Sequence, residues 1–228
     1  MTILADLISK LDKLVLKLAP YIPFSNLNTV WRSLDKSGKT ILDVGCGVGR
    51  PMKFFNKRKR FSTVGVDIFT PSLKECKKQG THDDYILCDA RSLPFRRDSF
   101  DVVISLEVLE HMEKKEGEQF LQSLEEIARR QVVISTPVGI YEQGVNPKDG
   151  NPHWVHQSTW EPAELKVKGY KVRGVGLRNL SGEAGLTSRL PRLLKPLHFV
   201  VWILAGPFTY FFPKFSGHMI CIKKSSIP

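Results

Sequence analysis

The 228-residue chain is 42% hydrophobic and 25% charged, ordinary proportions for one well-buried globular domain with additions. A formal charge of +11 favours an anionic contact, either nucleic acid or an acidic membrane surface, without choosing between them. The four cysteines, Cys46, Cys76, Cys88 and Cys221, form no C-x-x-C pair and no metal-ligand spacing, which argues against a structural zinc and for reduced thiols in a cytoplasmic protein.

At the N-terminus Leu4, Leu7, Leu11, Leu14 and Leu18 recur at spacings of three and four, with Lys10, Lys13 and Lys17 on the flank. Residues 1–24 therefore read as an amphipathic helix ended by Pro20 and Pro23, whose stripe either caps the core or lies in a membrane interface. Charges throughout the segment leave no uninterrupted apolar core of an export signal.

From Thr40 onward strand and helix patterns alternate. The apolar runs Thr40 to Val44, Thr63 to Asp67, Tyr85 to Cys88, Phe100 to Ser105 and Gln131 to Thr136 are near-continuous, as buried parallel strands require. Arg50 to Asn56, Pro71 to Gln79 and Glu116 to Arg130 read as the helices between them. The order predicts an α/β, Rossmann-like, doubly wound sheet with its ligand site beyond the carboxyl ends of the strands. A helix is expected at Trp160 to Lys168, capped by Ser158, and two last strands within Lys166 to Arg178 and at His218 to Lys224.

Residues 179–217, between those strands, are far too many for a hairpin loop and form an apolar insertion. Leu197 to Phe212 carries no charged side chain, includes five aromatic residues from Trp202 to Phe212, and is bracketed by Arg189, Arg192, Lys195 and Lys214. Gly206-Pro207 is expected to break it, and it is shorter than the ~20 apolar residues of a spanning helix. It reads as a lid or a membrane contact, with a buried helical hairpin as the alternative. The run Lys57 to Arg60 is either a solvated loop or a phosphate or headgroup contact.

The strand Thr40 to Val44 opens into Gly45-Cys46-Gly47-Val48-Gly49-Arg50, a D-x-G-x-G-x-G spacing counted from Asp43. A dinucleotide fingerprint needs its third small residue where Arg50 stands. Glycines at a strand end with an acid before them suit a ligand that lacks phosphates and carries an amino acid end. The run resembles motif I of the class I S-adenosylmethionine-dependent methyltransferases. That resemblance implies S-adenosylmethionine as cofactor, a seven-stranded and mostly parallel sheet with an antiparallel last strand, and a single methyltransferase domain over residues 1–228. It also implies a binding set: Gly45, Cys46, Gly47 and Gly49 against the methionine part, Asp43 toward its ammonium, Asp67 with Ile68 at the ribose hydroxyls, Asp89 with Ala90 at the adenine, and Leu106 lining the adenine pocket.

Phe100 to His111 resembles the F-D-x-V and E-V-L-E-H segments of type 11-like methyltransferases, in the branch that contains the ubiquinone-pathway O-methyltransferases. On a helix, Glu107, Glu110 and His111 share one face. In those enzymes the matching trio is linked to a divalent cation; here the expectation is no metal, with this trio as the alternative ligand set. Ser135 to Gly139 resembles the family's S-T-P-x-G. The N-P-P-Y and D-P-P-Y segments of enzymes that methylate base amino groups are absent, as is a cysteine nucleophile, so an oxygen of a small-molecule or lipid-like acceptor is favoured. In the loop 139–160, Tyr141, Asn146, Trp154 and Trp160 shape the acceptor side, and His153 or His156, with His111, are the candidate bases. An RNA or protein methyltransferase using the basic surface is the rival reading, with nucleic acid disfavoured. A non-catalytic binding module is the weakest, given Asp43, Asp67 and Asp89. An anionic membrane surface is the expected further partner, which makes peripheral membrane association an expectation. Oligomeric state is left open.

Overall fold

The computed structural model describes residues 18–140, 150–178 and 195–225, without the side chains of Ala19 and 195–199. Seven strands form one sheet: β1 (Thr40–Val44), β2 (Ser62–Asp67), β3 (Asp84–Leu87), β4 (Phe100–Leu106), β5 (Ala128–Pro137), β6 (Lys171–Leu177) and β7 (Ser216–Lys224), in the order β3-β2-β1-β4-β5-β7-β6. Strands β1 to β5 pair in parallel, and β7 runs antiparallel between β5 and β6. The order turns back at β1, which lies between β2 and β4, so the carboxyl end of β1 is the switch point where such sheets hold ligands.

Alternation along the strands feeds two cores. Leu42 and Val44 of β1 pack with Phe120, Leu121 and Leu124 of α4 (Lys114–Ile127) and Leu165 of α5 (Pro162–Val167). Ile41, one residue before Leu42, faces the opposite side, with Val30 and Leu34 at α1 (Asn26–Ser33) and Met52 and Phe55 of α2 (Arg50–Phe55). Helix α3 (Thr70–Gln79) buries Leu73 and Cys76. Because both faces are covered, the strands read as apolar runs rather than as alternating ones.

Several elements differ from the sequence reading. Helix α1 has no counterpart in it: Leu27, Val30 and Trp31 make too short an apolar pattern, although Ser25 caps the helix by accepting from the Asn28 amide at 3.2 Å. Helix α4 ends at Ile127, three residues before its predicted end, and the chain passes into β5 without a loop. Arg129 and Arg130 look helical in sequence, but they leave an edge of β5 to meet Asp101 at 2.7 Å and Asp35 at 2.9 Å. Ser158 does not cap α5. Glu161 does, in a reciprocal box with Glu164, while Ser158 Oγ accepts from the Trp160 indole at 3.0 Å. Of the predicted helix over residues 1–24, residues 1–17 lie outside the described residues, and Ala19–Tyr21 is a single 3-10 turn.

The break expected at Gly206-Pro207 does not occur. Helix α6 (Lys195–Phe211) runs through Pro207, and Thr209 Oγ1 hydrogen-bonds the carbonyls of Ala205 and Gly206. Packing holds the helix where propensity would end it. A Cβ on Gly174 of β6 would stand 2.2 Å from the Thr209 carbonyl oxygen, and Gly206 lies against Phe24. No helix among the described residues is long and apolar enough to cross a membrane.

Candidate active site

The turn after β1 is held from below by β2: the amides of Gly45 and Cys46 both donate to the Val66 carbonyl, at 2.8 and 2.9 Å. Gly45, Gly47 and Gly49 all have positive φ, at 73°, 53° and 77°, the left-handed region that glycine enters freely. Their surroundings differ. A Cβ on Gly45 would meet Val108 at 2.2 Å and one on Gly49 would meet Thr81 Oγ1 at 2.1 Å, whereas nothing lies within 4 Å of that position on Gly47. Two glycines thus allow close packing and the third opens onto a cavity.

That contrast separates two effects. Gly49→Ala is expected to lose on the order of 3 kcal/mol of stability, from left-handed strain and from displacing Thr81. Gly47→Ala is expected to lose only about 1 kcal/mol but to weaken cofactor binding through the new methyl group. Thermal melts with calorimetric titration of S-adenosylhomocysteine check both; equal stability losses would contradict the assignment.

The cavity has a volume of about 570 Å³ and brings together Gly45, Cys46, Gly47, Asp67, Ile68, Asp89, Ala90 and Leu106 with Glu107, His111 and His153. Asp67, at the end of β2, accepts from the Gly47 amide at 2.7 Å through Oδ2 and from the Phe69 amide at 2.8 Å through Oδ1. Burial raises its carboxyl above the usual range despite these two amides. Asp89, after β3, is held below its usual range by the hydrogen bond from Arg91, whose Nη2 lies 2.6 Å from Oδ2 and whose Nη1 reaches Glu116 at 3.2 Å.

Asp43 and Gly49 do not line this cavity. Asp43 is 2% exposed, and its Oδ2 lies 3.0 Å from Nε2 of the buried His82. The other ring nitrogen of His82 lies 2.9 Å from Thr81 Oγ1 and 3.4 Å from Cys76 Sγ. Burial alone would lower the pKa of His82; the hydrogen bonds it donates to Asp43 and Cys76 and the charge of Asp43 outweigh it and push it up to about 9. Asp43 therefore props the glycine turn through His82, a residue that no sequence pattern singled out.

At the acceptor end, Glu107, Glu110 and His111 do not share a helix face. Glu107 has a φ of 58°, and only Leu109–His111 forms a 3-10 turn. Glu107 turns instead to Ser135, which donates at 2.6 Å, and to Nδ1 of His218 on β7 at 3.0 Å. Burial opposes ionisation of both partners, yet their mutual attraction wins, lowering Glu107 and raising His218. Glu110 is buried, accepts from Thr136 at 3.0 Å, and is raised well above the usual range by burial and by the charge of Glu107. The ligand-bearing atoms of Glu110, His111 and His156 all lie within 4.8 Å of one another, a trio in which His156 stands where the sequence placed Glu107. Burial lowers His111 below its usual value, and burial with the neighbouring His111 lowers His156 to about 4. Both imidazoles are therefore neutral near pH 7. His218 was also absent from the sequence reading, since nothing local to β7 marks it as a partner of Glu107.

A glycine turn at the β1/β4 switch point, an acid ending β2 and another after β3 stand together on one cavity. Residues 42–134 match the family model described as a methyltransferase domain. A bovine (Bos taurus) protein named probable tRNA methyltransferase 9B is 31% identical over 181 residues, covering 75% of this chain and 37% of its own length. The 2-methyl-6-phytyl-1,4-hydroquinone methyltransferase of Synechocystis is 34% identical over 99 residues, 41% of this chain and 31% of that enzyme. The chain thus spans only about a third of these relatives' length. Among solved structures, a complex between the Haloferax volcanii Trm112 methyltransferase activator and a methyltransferase superposes with a TM-score of 0.59 at 16% identity, covering 95% of this chain and 93% of that one, a likeness of fold. Residues 42–134 thus form a class I methyltransferase domain, whose cofactor is S-adenosylmethionine.

Proposed function

We propose that the chain transfers the methyl group of S-adenosylmethionine to a hydroxyl oxygen of a small-molecule or lipid-like acceptor, with His111 as the general base, as a cytoplasmic enzyme that works at a membrane surface. The observation that carries this reading is the His111 imidazole, which lines the donor cavity and is held by one ring nitrogen. Nδ1 of His111 lies 3.2 Å from the Val155 carbonyl, which only accepts, so the single proton of the neutral ring sits on Nδ1 and Nε2 keeps its lone pair.

When bound, S-adenosylmethionine supplies an activated methyl group on a sulfonium that departs as a thioether. The protein's part is positioning and proton removal. Asp67, already fixed by two backbone amides, has lone pairs left for the ribose hydroxyls. Asp89 and Leu106 are placed for the adenine, and Cys46 and Gly47 bring backbone to the methionine end. His111 takes the acceptor proton as the new O–C bond forms. His153 and His156 complete the acceptor side, burial holds His111 below its usual value, and the reaction proposed needs no metal ligand from Glu107, Glu110 or His111.

A second reading is methylation of RNA, favoured by the net charge of +11 and by the name of the bovine relative. An extract incubated with the protein and methyl-labelled donor distinguishes them. Label is expected in the small-molecule and lipid fraction, and His111→Gln is expected to lower kcat by roughly 10²- to 10⁴-fold with donor affinity unchanged. Label confined to RNA, or a fully active His111→Gln, would reject the proposal.

A further inference from the structure

We infer that α6 is the membrane-docking element of this chain: it lies in the plane of an anionic lipid interface, with Val200, Leu204, Phe208 and Phe211 inserted, and sets the rim of the active face against the lipid. The inference rests on the membrane-surface reading above and says which surface makes the contact.

The helix is apolar on two sides. Its inner side is filled: Gly206 meets Phe24, the Thr209 carbonyl meets Gly174, and Trp202 lies 3.4 Å from the Cβ position of Gly176. Over residues 200–211, whose side chains are described, the strongly exposed positions are all apolar. Val200, Leu204, Phe208 and Phe211, at spacings of four, four and three, make one stripe, with Leu204 74% and Phe211 62% exposed. Val201, Ile203 and Phe212 widen it, and Phe215 extends it past the helix end. A surface helix of a soluble domain ordinarily turns charged residues outward, and one that is apolar all round is covered by something apolar.

Charge selects the cover. From residue 184 to 228 the chain carries six Lys and Arg and not one Asp or Glu. Three cations, Arg189, Arg192 and Lys195, precede the stripe in sequence, and Lys214 follows it. A second copy would bring the same cations together, whereas anionic headgroups would pair with them. Phe208, Phe211, Phe212 and Phe215 gather exposed at the Lys214 end, as such residues do on the apolar face of interfacial helices. The 17 residues of α6 span ~25 Å, too short to cross a bilayer core of ~30 Å and ample for an in-plane helix.

Topology places this surface at the active face. Leu177 pairs with Ser216, and His218 pairs with Pro137 at the carboxyl end of β5. The chain between β6 and β7 thus leaves and re-enters at the edge where the cavity opens. Thr209 meets β6 at Gly174 and Trp202 meets it at Gly176, two residues nearer that edge. The N-terminal half of α6 therefore leans toward the active face.

The test is co-sedimentation of the full chain with vesicles of phosphatidylcholine alone and of phosphatidylcholine mixed with phosphatidylglycerol. Wild type is expected to bind the mixed vesicles roughly tenfold or more tightly than the neutral ones, and the double variant Leu204→Glu, Phe208→Glu to lose that binding. Titration with S-adenosylhomocysteine, whose site α6 does not line, is expected to be unchanged in the variant and so reports that it is folded. No binding of wild type to anionic vesicles, or equal binding by the variant, overturns the inference. So does light scattering that shows a wild-type dimer which the variant dissociates, since a second copy would then cover the stripe. Vesicle binding with label only in RNA would remove the acceptor reading and leave the docking surface. Label in the lipid fraction without vesicle binding would do the reverse.

Discussion

His82→Ala is expected to destabilise the fold by about 3–5 kcal/mol, because it strands a buried carboxylate. The side chains of Asp43 and His82 are 3% and 0% exposed and meet at 3.0 Å. Removing the imidazole leaves the buried Asp43 carboxyl beneath the glycine turn without its partner. Urea unfolding of wild type and variant measures the loss, and a loss under about 1 kcal/mol, the range of an exposed pair, would contradict the assignment. The pH dependence has a definite sign. A histidine raised from 6.5 to about 9 contributes stability that is fully present below pH 6.5 and is lost as pH rises through 9. Cys76 works against this in wild type. The contact with Cys46, 4.0 Å between sulfurs, is the main cause that holds its thiol down to about 5 from 9, so its contribution grows over the same interval. The two slopes oppose each other between pH 6.5 and 9, where the protein's unfolding free energy is expected to be nearly flat from this cluster. Cys76→Ala removes the opposing slope, and stability in that variant is expected to fall across the interval. A slope that rises there would overturn the sign.

What the sequence made legible was local. Parallel strands covered on both faces are continuous apolar runs, so β1, β2, β4 and β5 stand out, and the glycines, Asp67 and Asp89 sit at strand ends within a few residues of them. What it hid depends on contacts made across the fold. His82 meets Asp43 across 39 positions and His218 meets Glu107 across 111, and a lone histidine carries no periodic signal. The E-V-L-E-H segment misled in a different way: its spacing fits a helix, but the left-handed backbone at Glu107 aims that carboxylate at β7, away from Glu110 and His111. At Pro207 the local rule failed because packing on Gly174 and Phe24 fixes a helix that propensity would interrupt. In α6 composition revealed an apolar segment, and only the fold separates the side that packs from the side left outward.

Asp67→Ala is expected to weaken binding of S-adenosylmethionine by roughly 10²- to 10⁴-fold, since two hydrogen bonds to a charged acceptor, each worth about 1.5–3 kcal/mol, are lost together. The carboxylate also accepts from the Gly47 and Phe69 amides, at 2.7 and 2.8 Å, so its removal is expected to loosen the glycine turn as well as the proposed ribose contact. Asp67→Asn separates these effects: its single carbonyl oxygen serves one amide, leaving the other unpaired, and its affinity is expected to lie between wild type and alanine. Burial has already raised the Asp67 carboxyl, so donor affinity is expected to fall as pH drops through that raised value and an acceptor becomes a hydroxyl donor. Asp89→Ala is expected to do less, about tenfold, because Arg91 holds that half-exposed carboxylate and its own share of the ligand is one amino group. Calorimetric titration of S-adenosylhomocysteine into the three variants gives the ranking. If Asp89→Ala proves the more damaging, the cavity is held at its adenine end, and the acid that closes β2 serves the turn alone.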